Sequence, residues 1–250
     1  SAPTTAKPDP ATAQAGPAQP AGTGQPAGTA QIQMPAGDRG ILAYDLMTEL
    51  MGTVPGFGGR KVHVGFHGTD AFCNNQLGYV NIPALPPVRR IPTRIAQEIR
   101  GYAMHEASHL LWTDDDFLEN GRSKEEKQNP LLKQLWNCIE DYMIERNFLE
   151  IYPGAHKNFT ATEARCCQSD MEQYGKNPDI AKDLRVVGGV ALTWCRSIYF
   201  GLKTPSSQDC MNTLPHGLQQ RVWDWFDRII DVEGTQDCWG HAKVIYGEIQ

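Results

Sequence analysis

The feature that most constrains this chain is the proline-free run from Arg94 to Trp112, which contains His105-Glu106-Ala107-Ser108-His109. Ile95, Ile99, Tyr102 and Ala103 recur through it at helical spacing, so the run predicts a helix. On a helix, positions i and i+4 are about 40° apart, and His105 and His109 leave from one face. Two imidazoles so placed can each reach one Zn²⁺ at about 2.0–2.1 Å. Glu106 then lies beside the metal, where a carboxylate can take a proton from water. The competing reading is a pair of structurally satisfied histidines. The motif's three fixed positions inside an unbroken helical pattern favour the metal.

At 250 residues, 40% hydrophobic and 21% charged, the chain can bury a substantial core. A net charge of −6 leaves no general basic footprint for nucleic acid. No apolar run approaches the roughly 20 residues of a membrane span. No signal-peptide pattern opens the sequence. The seven cysteines are odd in number and form no C-x-x-C pair, which reads as reduced thiols in a cytoplasmic protein and not as a cysteine metal site.

Residues 1–37 are almost entirely Ala, Pro, Gly, Thr and Gln, and read as a flexible tail. The domain is expected to span 38–250, with a core over 38–155 and a helical subdomain over 156–250. Leu42, Leu46 and Leu50 predict a short helix closed by Gly52 and Pro55. Lys61 to Phe66 alternates as a strand does; turn residues Cys73 to Gln76 separate it from a second extended run, Leu77 to Ile82, which prolines stop. A proline-terminated strand suits a sheet edge, and Tyr79, Val80, Asn81 and Ile82 are the candidate edge for binding an extended substrate. An ordinary structural hairpin is the alternative. The acidic run Asp114-Asp115-Asp116, at the end of the histidine helix, opposes the helix dipole and reads as a solvated turn, or Asp114 orients a histidine. Ser123 to Gln128 reads as an exposed connection. A second long helix is predicted from Pro130 to Tyr152. Helices over 161–174, 180–200, 218–232 and 238–249 follow, the last running nearly to Gln250 without a stop, as in a piece of a longer protein. The fold class is therefore α+β, predominantly α, with a small sheet before the histidine helix.

A catalytic zinc usually has three protein ligands and one open position. No glycine and histidine follow His109 at the spacing of the extended three-histidine motif, so a carboxylate on the next long helix is expected. On a wheel of about 100° per residue with Ile139 at zero, Trp136 and Met143 fall within about 60°, Glu140 near 100°, Asp141 near 200° and Glu145 near 240°. Glu140 borders the apolar stripe and is the first choice as third ligand. Asp141 is the alternative, if the helix is irregular there. Asn137, Asp141 and Glu145 share another face and are candidates to brace the site from behind. Tyr142, Arg146 and His156 are candidate donors to an oxyanion.

His105-Glu106-x-x-His109 with Leu111-x-Thr113-Asp114, followed by Trp136-Asn137-x-Ile139-Glu140-Asp141-x-x-Ile144-Glu145, resembles the metallopeptidase-like domain of cobalt-chelatase-T-like proteins of bacteria and their phages. Asn81 to Pro86 also looks like the strand and loop leading into that family's zinc helix. The likeness runs from about Phe57 to Asn147. It implies a zincin-like core of gluzincin type, located in the cytoplasm of a bacterium or of a phage's host. The family's domain is often followed by a von Willebrand A domain, whose Asp-x-Ser-x-Ser motif is missing here, and works with a MoxR-type AAA+ ATPase. The activity expected is hydrolysis of a protein or peptide substrate by zinc-activated water, with Glu106 as general base. The alternative is a zinc-stabilised adaptor that presents substrates to the ATPase.

Overall fold

The computed structural model describes residues 33–57, 61–175, 183–202 and 205–250. Most of the expected tail and the first residues of the helix expected from Ile180 lie outside these. The described chain is predominantly helical with a small sheet. No helix among the described residues is long and apolar enough to cross a membrane.

A two-residue strand, β1 (Ile41–Leu42), leads into α1 (Ala43–Phe57). Leu46, Leu50 and Val54 form its buried stripe, and the helix continues through Gly52 and Pro55 rather than ending at them. Three strands follow: β2 (His63–Phe66), β3 (Phe72–Asn74) and β4 (Tyr79–Ile82). The sheet order is β2-β4-β3. β4 pairs in parallel with β2 and antiparallel with β3, so Tyr79 to Ile82 form the central strand and not an edge. The expectation failed because Cys73 and Asn74 read as turn residues, whereas they extend beside Val80 and Tyr79. The turn comes later, and Gly78 closes it at φ +58°. Val80 and Ile82 are fully buried beneath the sheet. β5 (Arg90–Ile91) pairs with β1 and delivers the chain to α2 (Thr93–Trp112), the histidine helix.

The acidic run after α2 starts a new helix, α3 (Asp115–Asn120). Asp114 Oδ1 accepts the Phe117 amide at 3.0 Å as its N-cap, and Asp115 and Asp116 occupy the first turn. These charges therefore stabilise the dipole of the helix they begin. Ser123 and Glu126 form a capping box for α4 (Lys124–Gln128), in the segment expected to be a plain connection. Then come α5 (Pro130–Ile151), α6 (His156–Asp170) with a wider turn over Met171–Gly175, α7 (Leu184–Tyr199), α8 (Pro205–Asn212), α9 (His216–Ile229) and α10 (Thr235–Ile249).

The site depends on how α2 and α5 are held. α2 packs against the sheet and α1 through Ala96, Ile99, Ala103, Ala107 and Leu110. On its other side it lies against α6, so closely that a Cβ on Gly101 would stand 2.6 Å from the Asn158 carbonyl oxygen. α5 is buried nearly all round. Its Leu135, Trp136, Ile139 and Met143 belong to one continuous cluster with Val187 and Trp194 of α7, Trp225 of α9 and Trp239 of α10. That core runs across residue 155 without a break. All seven cysteines are free, and five of them are buried.

Candidate metal centre

His105 and His109 project from one face of α2, their ring centroids 4.9 Å apart and their planes near perpendicular. Asp141 of α5 comes down on them. Its Oδ1 stands 3.6 Å from His105 Nε2 and 3.3 Å from His109 Nε2. Ligands at about 2.0–2.1 Å around a tetrahedral ion are about 3.4 Å apart, so these separations suit a single metal. His105, His109 and Asp141 thus form a group that can hold a metal ion.

The other ring nitrogens fix the tautomers. His105 Nδ1 is 2.8 Å from Glu145 Oε1, an acceptor when ionised, so Nδ1 carries a proton, and in the neutral ring Nε2 presents a lone pair. His109 Nδ1 is 2.9 Å from Thr113 Oγ1, with Glu140 Oε2 at 3.7 Å on the same side. Asp141 Oδ2 accepts from Asn137 Nδ2 at 3.0 Å, while the buried Oδ1 faces the two histidine Nε2 atoms. With both rings neutral, as metal binding requires, three acceptor atoms converge. A cation resolves that arrangement, and the donor set of two nitrogens and one oxygen fits zinc.

The electrostatics show a site that favours positive charge. Burial opposes a charge on His105, but Asp141, Glu145 and Glu106 outweigh it and hold the imidazole up at about 9. Burial would likewise raise Asp141, yet His105, His109 and Arg196 keep it below the usual carboxylate range. Glu106, one residue past His105, is nearly enclosed, and burial raises its carboxyl. The Cys73 thiol of β3 lies beside it, and each group acts on the titration of the other. The turn after β3 also touches α2, Asn75 Nδ2 lying 3.4 Å from the His109 carbonyl oxygen. The histidine side chains keep 18% and 13% of their surface exposed, so the site opens to solvent.

Glu140, the first choice for third ligand, is placed elsewhere. It is fully buried on the Nδ1 side of His109, away from the converging atoms, and Thr235 Oγ1 donates to its Oε1 at 2.7 Å. Burial pushes its carboxyl up to about 7. The wheel assumed that the apolar stripe of α5 faces α2, whereas that stripe packs on α7, α9 and α10. The face of Asn137, Asp141 and Glu145 is the one turned to α2, and Asp141 reaches inward from regular helix. The three oxyanion candidates are committed elsewhere too. Tyr142 and Arg146 donate to the Ile230 carbonyl, and His156 bonds the Phe200 carbonyl at 3.2 Å.

Four contributors went unrecognised in the sequence: Thr113, Cys73, Thr235 and Arg196. Thr113 stood in the Leu111-x-Thr113-Asp114 pattern without a role assigned to it, and Cys73 and Thr235 carry no distinguishing pattern. Arg196 had a signal, a lone arginine deep in the apolar run of α7, since arginine is rarely buried unless paired. No protein-family model, curated protein or solved structure matches the chain.

Proposed function

We propose that this protein is a zinc-dependent peptidase with a zincin-like core, in which His105, His109 and Asp141 hold the metal and Glu106 is the general base. The observation that carries the reading is the convergence of three buried or half-buried acceptor atoms with a carboxylate one residue from the first of them. Zinc at such a site supplies a Lewis acid that acidifies water and polarises a carbonyl.

The chain's own groups divide the remaining work. Glu145 and Thr113 hold the two imidazoles in the tautomer that offers Nε2. Asn137 holds Asp141 by its outer oxygen. Glu106 accepts the proton of the attacking water and returns it to the departing amine. The Cys73 thiol of β3 lies beside Glu106 as a candidate donor that would orient it. β3 is an edge of the sheet, unpaired by any other described strand on its far side, and it runs beside Glu106. An extended peptide added to that edge brings its backbone past the base, which makes β3 the substrate strand in place of Tyr79 to Ile82.

The test is elemental analysis for zinc together with cleavage of casein or a peptide library by wild type and Glu106→Gln. Stoichiometric zinc in both proteins, with cleavage confined to wild type, is the expected result. Zinc without cleavage in either turns the reading to a non-catalytic, zinc-stabilised subunit, and absence of zinc after metal-replete purification overturns both.

A further inference from the structure

Arg196 of α7 is 6% exposed and lies among three carboxylates supplied by two other helices. Its Nη1 is 3.8 Å from Asp141 Oδ2, its Nε 3.4 Å from Glu145 Oε2, and its Nη2 3.5 Å from Glu163 Oε2 of α6. The two carboxylates on the metal side are split in the same way. Asp141 turns Oδ2 to Arg196 and Oδ1 to both histidines. Glu145 turns Oε2 to Arg196 and Oε1 to His105 Nδ1. One planar guanidinium therefore faces the outer oxygen of a ligand and the outer oxygen of the group that orients another ligand. Neither Nε nor Nη1 is hydrogen-bonded among the described residues, while Nη2 bonds Glu163 and fixes the head from behind.

Resting on the metal-centre reading, we infer that Arg196 is a positioning residue, which sets the angle at which Asp141 Oδ1 and His105 Nε2 meet the metal. A purely structural ion pair has no reason to turn the inner oxygen of one carboxylate to both Nε2 atoms and that of the other to His105 Nδ1. The inference also joins the far part of the chain to the site, since α7 lies wholly beyond the motif-bearing helices.

The test compares wild type with Arg196→Lys, which keeps the positive charge but loses the fork. Zinc affinity is measured by competition with a chromophoric chelator, and the visible spectrum of the Co²⁺-substituted protein reports ligand geometry. The expected result is a folded variant with zinc affinity lower by about 10- to 100-fold and an altered Co²⁺ band, as losses behind metal ligands produce. Wild-type affinity with an unchanged band in the folded variant overturns the inference. If circular dichroism shows that Arg196→Lys does not fold, Glu163→Gln carries the test, because it removes only the anchor behind the guanidinium. A fewfold loss of affinity with a shifted band is then expected, and no change in either overturns the inference. A wild-type protein that binds neither metal removes the metal-centre reading itself. An intact wild type with an indifferent variant removes only the role of Arg196.

Discussion

Asp141→Asn and Glu140→Gln separate the two carboxylates that the sequence could not. They are adjacent on α5 and both buried, yet one faces the Nε2 atoms of both histidines and the other the Nδ1 side of His109. Structural zinc is worth about 10–16 kcal/mol over four ligands, or about 2.5–4 kcal/mol for each. Removing the Asp141 charge should therefore cost zinc affinity about 100- to 1000-fold. Glu140→Gln keeps an acceptor for Thr235 and alters only a partner behind His109, for which about tenfold is expected. Chelator competition on both proteins at one pH gives the ratio directly, and circular dichroism confirms that each is folded. A larger loss for Glu140→Gln than for Asp141→Asn would refute the assignment and the geometry beneath it.

Two further outcomes test the packing around the site. Gly101→Ala gains about 1 kcal/mol of helix propensity but forces a Cβ to 2.6 Å from the Asn158 carbonyl oxygen, which overpacking data put at about 1–3 kcal/mol; the melting temperature should fall by a few degrees, and a rise would mean that α2 and α6 are not in this contact. The Asp170 carboxyl is pushed up to about 7, by burial first and then by Glu163, against the Trp194 Nε1 bond at 2.8 Å. An acid raised in the folded state keeps a proton that the unfolded chain, at its ordinary 3.8, has already lost, so its contribution is intact below about pH 4 and lost as pH rises towards 7. Asp170→Asn should accordingly raise the melting temperature at pH 8 and change it little at pH 4, while an equal effect at both would exclude titration as the cause.

How far the fold could be read varied with the kind of signal. α2 and α5 were legible to within a residue at each end, because long periodic runs bounded by proline carry their own limits. α3 and α4 were missed for the opposite reason: six and five residues are too few to show a period, and only the caps Asp114 and Ser123 announce them. The sheet was half read. β2 and β4 were read as extended segments, but the strand between them, β3, was not, since its Cys73 and Asn74 are residue types that read as turn. Strand order is a tertiary property, and local pattern did not contain it.

The site shows why a wheel alone cannot choose a ligand. The spacing of His105, Glu106 and His109 is self-contained, since one helix presents all three. The third ligand depends on which face of α5 meets α2, and a helix buried on several sides has no single inward face. The apolar stripe pointed to the larger core, so the polar face, excluded on hydrophobic grounds, was left for the metal. Asn137, Asp141 and Glu145 at successive i, i+4 positions were the better sign, read as one object. Three hydrogen-bonding side chains aligned on a helix that is otherwise core are expensive to bury singly, and become stable together only if something positive lies along them. Here that is the imidazole pair, with the cation proposed to bind it, on one side and Arg196 on the other.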